Sequence, residues 1–376
     1  PIYRDILSSC IPRSSLLDGR GRMWIASNKG LILVDEAGRV HAMHGQSHVP
    51  GALPGELMWH ISRDRSGGIW FSFFDAGAAY LPPEWDGFVR FTHEQNDSSS
   101  LAGTIATVIQ ASSERGRLWI GGRGWVDRFD LSTGRVSHFL DGISVVWGLA
   151  EDSHGRLWVS HTGGLAIVDH GIPWMVDLKK YKLPPTSRII YSGDGHIYAT
   201  STLGVVSIDD SSLEFSVLPM EKGGGQDALV GNQLSFKNGE LWYASDAGLM
   251  RWNEGDKKLV FVDGVVRGPV EGFGFSKDGL WIVLNSKLEY YRYKGGRATK
   301  LRSVDLSLTK PTIAATQGVY VDDDQKAWVL ARPGLWRFDP ETGSMDAFGL
   351  QEGLLDLGFS NDTVAVPGDG TVYGVT

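Results

Sequence analysis

Short apolar runs with an aromatic residue near the centre recur along the chain, each entered and left through a polar turn rich in glycine. The stretch from Asp152 to Asp169, DSHGRLWVSHTGGLAIVD, shows the unit clearly. DGRGRMWIASNKGLILVD, from Asp18 to Asp35, repeats it closely, and NGELWYASDAGLMRW, from Asn238 to Trp252, repeats its centre. The apolar runs span only a few residues and are punctuated by glycine, which predicts strands and turns; no segment carries a helical period. In the fourth copy a first strand covers Val146 to Glu151 and meets a D-x-x-G turn. There Asp152 can accept local backbone N–H groups and Gly155 can adopt a left-handed conformation. A second strand, Leu157 to Ser160, a hairpin turn at Thr162-Gly163-Gly164 and a third strand, Leu165 to Asp169, follow. Polar segments such as Gly134 to Phe139 supply a fourth strand.

The central aromatics are Trp24, Trp70, Trp119, Trp158, Tyr198, Trp242, Trp281, Trp328 and Tyr373, spaced 39 to 49 residues apart. That period holds one four-stranded sheet per copy. One such sheet cannot bury both faces, but sheets packed radially around a channel can, so the expected fold is an all-β propeller of about nine blade repeats. The aromatics are then scaffold, wedged between neighbouring blades. A single domain over 1–376, one ring of eight or nine four-stranded blades, is the preferred arrangement, with Pro1 to Ile6 as a closing outer strand. A seven-bladed ring plus part of a second is the alternative.

The phrase D-x-x-G-x-[LIM]-W-[IV]-x-[ST]-x-x-G-L, followed by a short strand and [VF]-D, resembles the two-component regulator propeller repeat. Asp18 to Asp35 and Asp152 to Asp169 carry it closely. Leu118 to Gly122 with Arg128-Phe129-Asp130, and Trp328 to Leu330 with Gly334 to Asp339, carry it in part. Glu352 to Gly374 is similar to the last propeller repeat before that family's output-side modules. The resemblance implies a sensory ectodomain, typically periplasmic, of a receptor whose output is a histidine kinase or a GGDEF-type cyclase. The repeats around Tyr198 and Trp281 depart from the pattern, lacking the aspartate or the hairpin glycine. Family members often carry two seven-bladed propellers, more than nine repeats fill.

Composition narrows the partners. The 376 residues include 49 Gly and 14 Trp, and 36 basic against 44 acidic residues leave a net charge of −8. The basic residues are scattered, so neither nucleic acid nor an anionic membrane is an expected partner. Cys10 is the only cysteine, which excludes an intrachain disulfide. No apolar run is long enough to span a bilayer and no signal peptide is visible, so the chain reads as a trimmed ectodomain whose membrane and output domains lie outside it. Such receptors allow a homodimer.

The motifs of metalloproteases, P-loop proteins, dinucleotide-binding folds and serine hydrolases are missing, so no catalytic residue, metal site or cofactor is expected. Asp322-Asp323-Asp324 falls where each repeat has its polar turn and reads as solvated turn, without the calcium-loop pattern. In a propeller, the starts of the innermost strands and the hairpins after the aromatic strands share one mouth of the channel, and binding residues concentrate on such loops. Alignment on the aromatics places Arg13, Trp59, Val108, Trp147, Ser187, Asn232, Gly272, Gln317 and Asp362 at equivalent inner positions. The following residues His60, Arg188 and Gln233 then turn toward the channel. The hairpins add Asp75, Arg123, Trp125, His161 and Arg332. Aromatics beside Arg and His suit stacking on a saccharide or another small polar ligand; packing of Trp59 and Trp147 on neighbouring loops is the plain alternative. Two other functions are open: a lyase or hydrolase of the virginiamycin-lyase type, with His60 or His161 as base and Asp75 as acid, and a protein-interaction scaffold using the 82–103 insertion.

Overall fold

A computed structural model describes residues 10–19, 21–35, 38–44, 53–65, 67–81, 88, 91–93, 97–222, 231–349, 354, 358–359, 364–366 and 371–376. Pro1 to Ile6, expected as a closing strand, and much of the 82–103 insertion lie outside those residues. The described chain is antiparallel β-structure, with Leu306–Leu308 as one turn of 3-10 helix.

Each repeat is an up-and-down sheet in chain order. The first runs Pro12–Leu17, Met23–Ser27, Gly30–Val34 and Val40–Met43, and four-stranded sheets of the same order recur in the fifth to eighth repeats. The second repeat shows three strands, Met58–Arg63, Ile69–Phe73 and Ala78–Leu81. The third and fourth repeats share one six-stranded sheet, because Arg135–Glu151 pairs at one end with Arg117–Asp130 and at the other with Leu157–His161. The ninth contributes Val364–Ala365 and Tyr373–Gly374.

The recurrent turn motif has a second use beyond closing the turn. Asp152 Oδ1 accepts the Arg156 amide at 3.0 Å, while Oδ2 accepts the indole Nε1 of Trp158 at 2.7 Å. The same indole bond joins Asp18 to Trp24 (3.0 Å), Asp64 to Trp70 (3.1 Å) and Asp322 to Trp328 (2.7 Å). An aspartate six residues before the tryptophan thus satisfies a polar atom that would otherwise be buried without a partner. Ser113 stands at that place before Trp119, and the buried Nε1 of Trp119 lacks a hydrogen-bond partner. Asp322 is therefore a scaffold residue. Gly155 completes the turn at φ +75°.

The aromatics pack into the following repeat. Trp24 shares a buried cluster with Ile61 and Phe71 of the second repeat, and Trp158 one with Ile189 and Ala199 of the fifth. Trp242 meets Phe273 of the seventh, and Trp281 meets Val319 and Val329 of the eighth. Trp70 is the exception: it is half-exposed, its ring 4.7 Å from that of Tyr80.

Two compact units are distinguished, Pro1–Val89 with Phe348–Leu355, and Arg90–Ala347 with Asp356–Thr376. Within the second, Ala365 and Val375 of the ninth repeat share a core with Ile109, Leu118 and Phe129 of the third, and Tyr373 packs against it. Arg332 of the eighth repeat lies against Gly358. The third repeat is thus a packing neighbour of the ninth. Apolar burial selects this neighbour, because Ile109 and Leu118 need a cover on that face.

Candidate ligand-binding site

The first strands of the first eight repeats are each interrupted at one equivalent place. The register skips at Arg13, Trp59, Thr107, Trp147, Ser187–Arg188, Asn232, Glu271 and Gln317. Each is a β-bulge, which leaves its residue unpaired and re-aims the side chain. In the third and seventh repeats the bulge falls on Thr107 and Glu271, one residue before the expected Val108 and Gly272. Equal spacing from the aromatic misses that offset, since a bulge adds a residue without lengthening the ladder.

Several bulge side chains in the second unit bind the next repeat. Thr107 Oγ1 donates to the Val146 carbonyl at 2.5 Å, and Asn232 Nδ2 donates to the Val270 carbonyl at 3.0 Å. The Glu271 carboxylate accepts the Thr316 amide, although burial raises its pKa above the ordinary glutamate value. Trp147 differs. Its ring is 40% exposed, and its Nε1 donates to Thr162 Oγ1 on the hairpin of its own repeat at 3.1 Å.

Beside Trp147 the second unit holds a cleft of about 370 Å³. Trp147, His161 and Thr162 line it from the fourth repeat, Pro185 to Ser187 with Ser201 and Thr202 from the fifth, and Gly231 from the sixth. Among the described residues its lining side chains carry hydroxyls, one indole and one imidazole, without a carboxylate, lysine or arginine. Two of the hydroxyls are ordered by neighbours: Thr186 Oγ1 lies 3.0 Å from Ser160 Oγ, and Ser187 Oγ and Thr200 Oγ1 are 2.7 Å apart. Arg188, expected in the channel, places Nη1 3.2 Å from the Trp147 carbonyl, so it braces the strand that carries the indole.

His161 is only 5% exposed. Its Nδ1 lies 2.7 Å from Ser144 Oγ and accepts the Gly163 amide at 3.1 Å, while Nε2 is buried without a hydrogen-bond partner. Burial lowers the imidazole pKa, holding the ring neutral.

Of the ten predicted site residues, Trp147 and His161 meet in this cleft, with Arg188 behind it. Two others in the second unit belong to the scaffold, against expectation. Gln233 is 8% exposed, and its Oε1 accepts the Phe273 amide of the next repeat at 2.7 Å. Its polar side chain completes a backbone ladder rather than facing the channel. Trp125 is 4% exposed and packs against Gly103 and Gly122, where a Cβ would collide with its ring. The absence of side chains on those glycines is what admits the indole. Arg123 and Arg332 are exposed at hairpins of the third and eighth repeats and do not line the cleft.

Trp59, His60 and Asp75 belong to the first unit. Trp59 is 54% exposed, with the Arg13 guanidinium 5.4 Å from its ring centre and the Phe74 ring 6.0 Å away. His60 Nδ1 lies 3.1 Å from Ser14 Oγ. Asp75 is exposed. Ser187 was placed at an inner position without being assigned to the site, and the residues that sequence reasoning missed are Pro185, Thr186, Ser201, Thr202 and Gly231. The signal available for Ser201 and Thr202 was their place in the fifth hairpin.

No protein-family model matches the chain, and no curated protein matches it. Solved structures do. The extracellular domain of a B. thetaiotaomicron protein described as a hybrid two-component system is 16% identical over 97% of this chain and 51% of that one, with a TM-score of 0.56. This chain therefore spans about half the length of that domain. The β-propeller domain of Myceliophteria thermophila Cps50 (Swd1) is 11% identical, covering 76% of this chain and 95% of its own, with a TM-score of 0.57. YCF48 bound to a D1 peptide is 12% identical, covering 76% of this chain and 97% of its own, with a TM-score of 0.55. At these identities the likeness is one of fold. The chain is a β-propeller, sharing its architecture with an extracellular domain of a two-component system.

Proposed function

We infer that the chain is a non-catalytic sensor propeller from the extracytoplasmic, periplasmic part of a bacterial signal-transduction receptor, of two-component or diguanylate cyclase type, and that it binds a small polar or saccharide ligand at the cleft beside Trp147. The observation that carries this reading is the cleft itself: an exposed indole next to a buried, neutral imidazole with an unused nitrogen. Built concave sites with one aromatic face and a few convergent polar groups are what small ligands occupy. The fold shared with a two-component extracellular domain, and the repeat motif, support the receptor context. Among the described residues His161 is the one titratable group in the cleft lining. Signalling requires the ligand to favour one of two states of the receptor.

Thermal-shift screening of the chain against saccharides and other small polar metabolites tests this. A responding compound should raise the melting temperature of the wild type and leave Trp147→Ala unchanged. An undiminished response in Trp147→Ala moves the site elsewhere, and conversion of the compound to a product overturns the non-catalytic reading.

A further inference from the structure

The chain contains its own control for His161. In the first, fifth and sixth repeats the residue closing the second strand is a serine, paired across the hairpin with a glycine: Ser27 with Gly30, Ser201 with Gly204, Ser245 with Gly248. Each serine hydroxyl accepts the amide two residues on, from Lys29, Leu203 and Ala247 at 3.1, 3.1 and 3.3 Å. Each also donates to the carbonyl of its paired glycine. His161 holds the same place, paired with Gly164, and its Nδ1 accepts the amide two residues on, from Gly163.

Nδ1 shares the Gly163 amide with Ser144 Oγ, which accepts it at 2.9 Å and lies 2.7 Å from Nδ1, so Nδ1 faces the hairpin and the rest of the ring is additional to it. With Nδ1 as acceptor, the ring proton resides on Nε2, a donor buried without a partner in a residue that lines the cleft. A buried unsatisfied donor is costly, and a ligand oxygen relieves that cost. Among the described residues the lining offers no counter-charge, so against them an ionic ligand would lose its hydration without compensation.

We propose that His161 is the specificity-determining residue of this cleft, donating Nε2–H to an acceptor oxygen of an uncharged ring-shaped ligand whose flat face lies against Trp147. The inference rests on the binding reading above and deepens it. A neutral sugar ring and a neutral nucleobase share this chemistry.

The test is saturation-transfer NMR on the whole chain. Methyl β-glucopyranoside and uridine are the uncharged probes, with glucuronate and uridine monophosphate as their charged counterparts. His161→Ser restores the residue of the other repeats, keeps a hairpin acceptor and removes the ring with its Nε2 donor. Binding of one uncharged probe, weaker binding of its charged counterpart, and a loss of about tenfold in affinity in H161S at unchanged melting temperature support the proposal. The probe that binds tells a sugar from a base. Wild-type affinity in H161S, tighter binding of the charged counterpart, or binding of neither uncharged probe overturns it. If Trp147→Ala loses binding while H161S keeps it, the cleft stands as a site and only the role of His161 falls.

Discussion

Asp152 Oδ2 accepts the indole N–H of Trp158 at 2.7 Å and the Arg156 Nε at the same distance, so one carboxylate holds both the turn and the aromatic wedge of its blade. Asp152→Ala leaves the fully buried Trp158 nitrogen without an acceptor. It should lower unfolding free energy by about 1–3 kcal/mol, read by urea denaturation, and leave ligand response intact once folded.

Gln233 separates scaffold from site. Gln233→Ala removes the acceptor of the Phe273 amide, a buried group between the sixth and seventh repeats. A cost of about 1–3 kcal/mol in stability is expected, with no change in the affinity of any ligand that Trp147→Ala abolishes. A loss of affinity in Gln233→Ala at conditions where it is fully folded would return this residue to the channel.

The imidazole of His161 makes stability depend on pH. Its folded pKa is lowered by burial from the ordinary value of 6.5, so the unfolded chain takes up this proton first. The contribution is complete above about 6.5 and is lost as pH falls through the folded pKa. Between pH 7 and 5 the wild type should lose stability more steeply than His161→Ser, in matched denaturant titrations. Equal slopes would show that the ring is not held neutral in the fold.

The ninth repeat predicts a long-range effect. Val375 is buried with Ile109 and Phe129, far away in sequence. Val375→Asp places a charge in that cluster and should speed amide exchange in Ala106–Ala111 and Arg117–Asp130, while Val270–Ser276 keeps its protection. Unchanged exchange in the third repeat would separate it from the ninth.

Much of the scaffold was readable from the chain, because a blade needs the same few residues each time. Asp152, Gly155, Trp158 and Gly164 recur at fixed offsets, and the strands they predict are the strands observed. The proposed cleft was legible in part. Trp147 and His161, which line it, stand out as departures from the repeat, but Gln233 and Trp125 are departures too and are held by neighbouring backbone. Polarity and alternation locate a residue on a strand; they do not tell whether a neighbouring repeat offers Gln233 a backbone amide, or whether Gly103 and Gly122 leave room for Trp125.

The sequence by itself determined the unit: turn, aromatic strand, hairpin and strand, with local hydrogen bonds between residues six or fewer apart. Tertiary structure decided which repeats meet, where the bulges fall, and which irregular residues remain available. Those outcomes depend on contacts between residues tens to hundreds of positions apart. Ala365 on the core of Ile109, and the burial of His161 Nε2 without a partner, are decided only when the sheets pack.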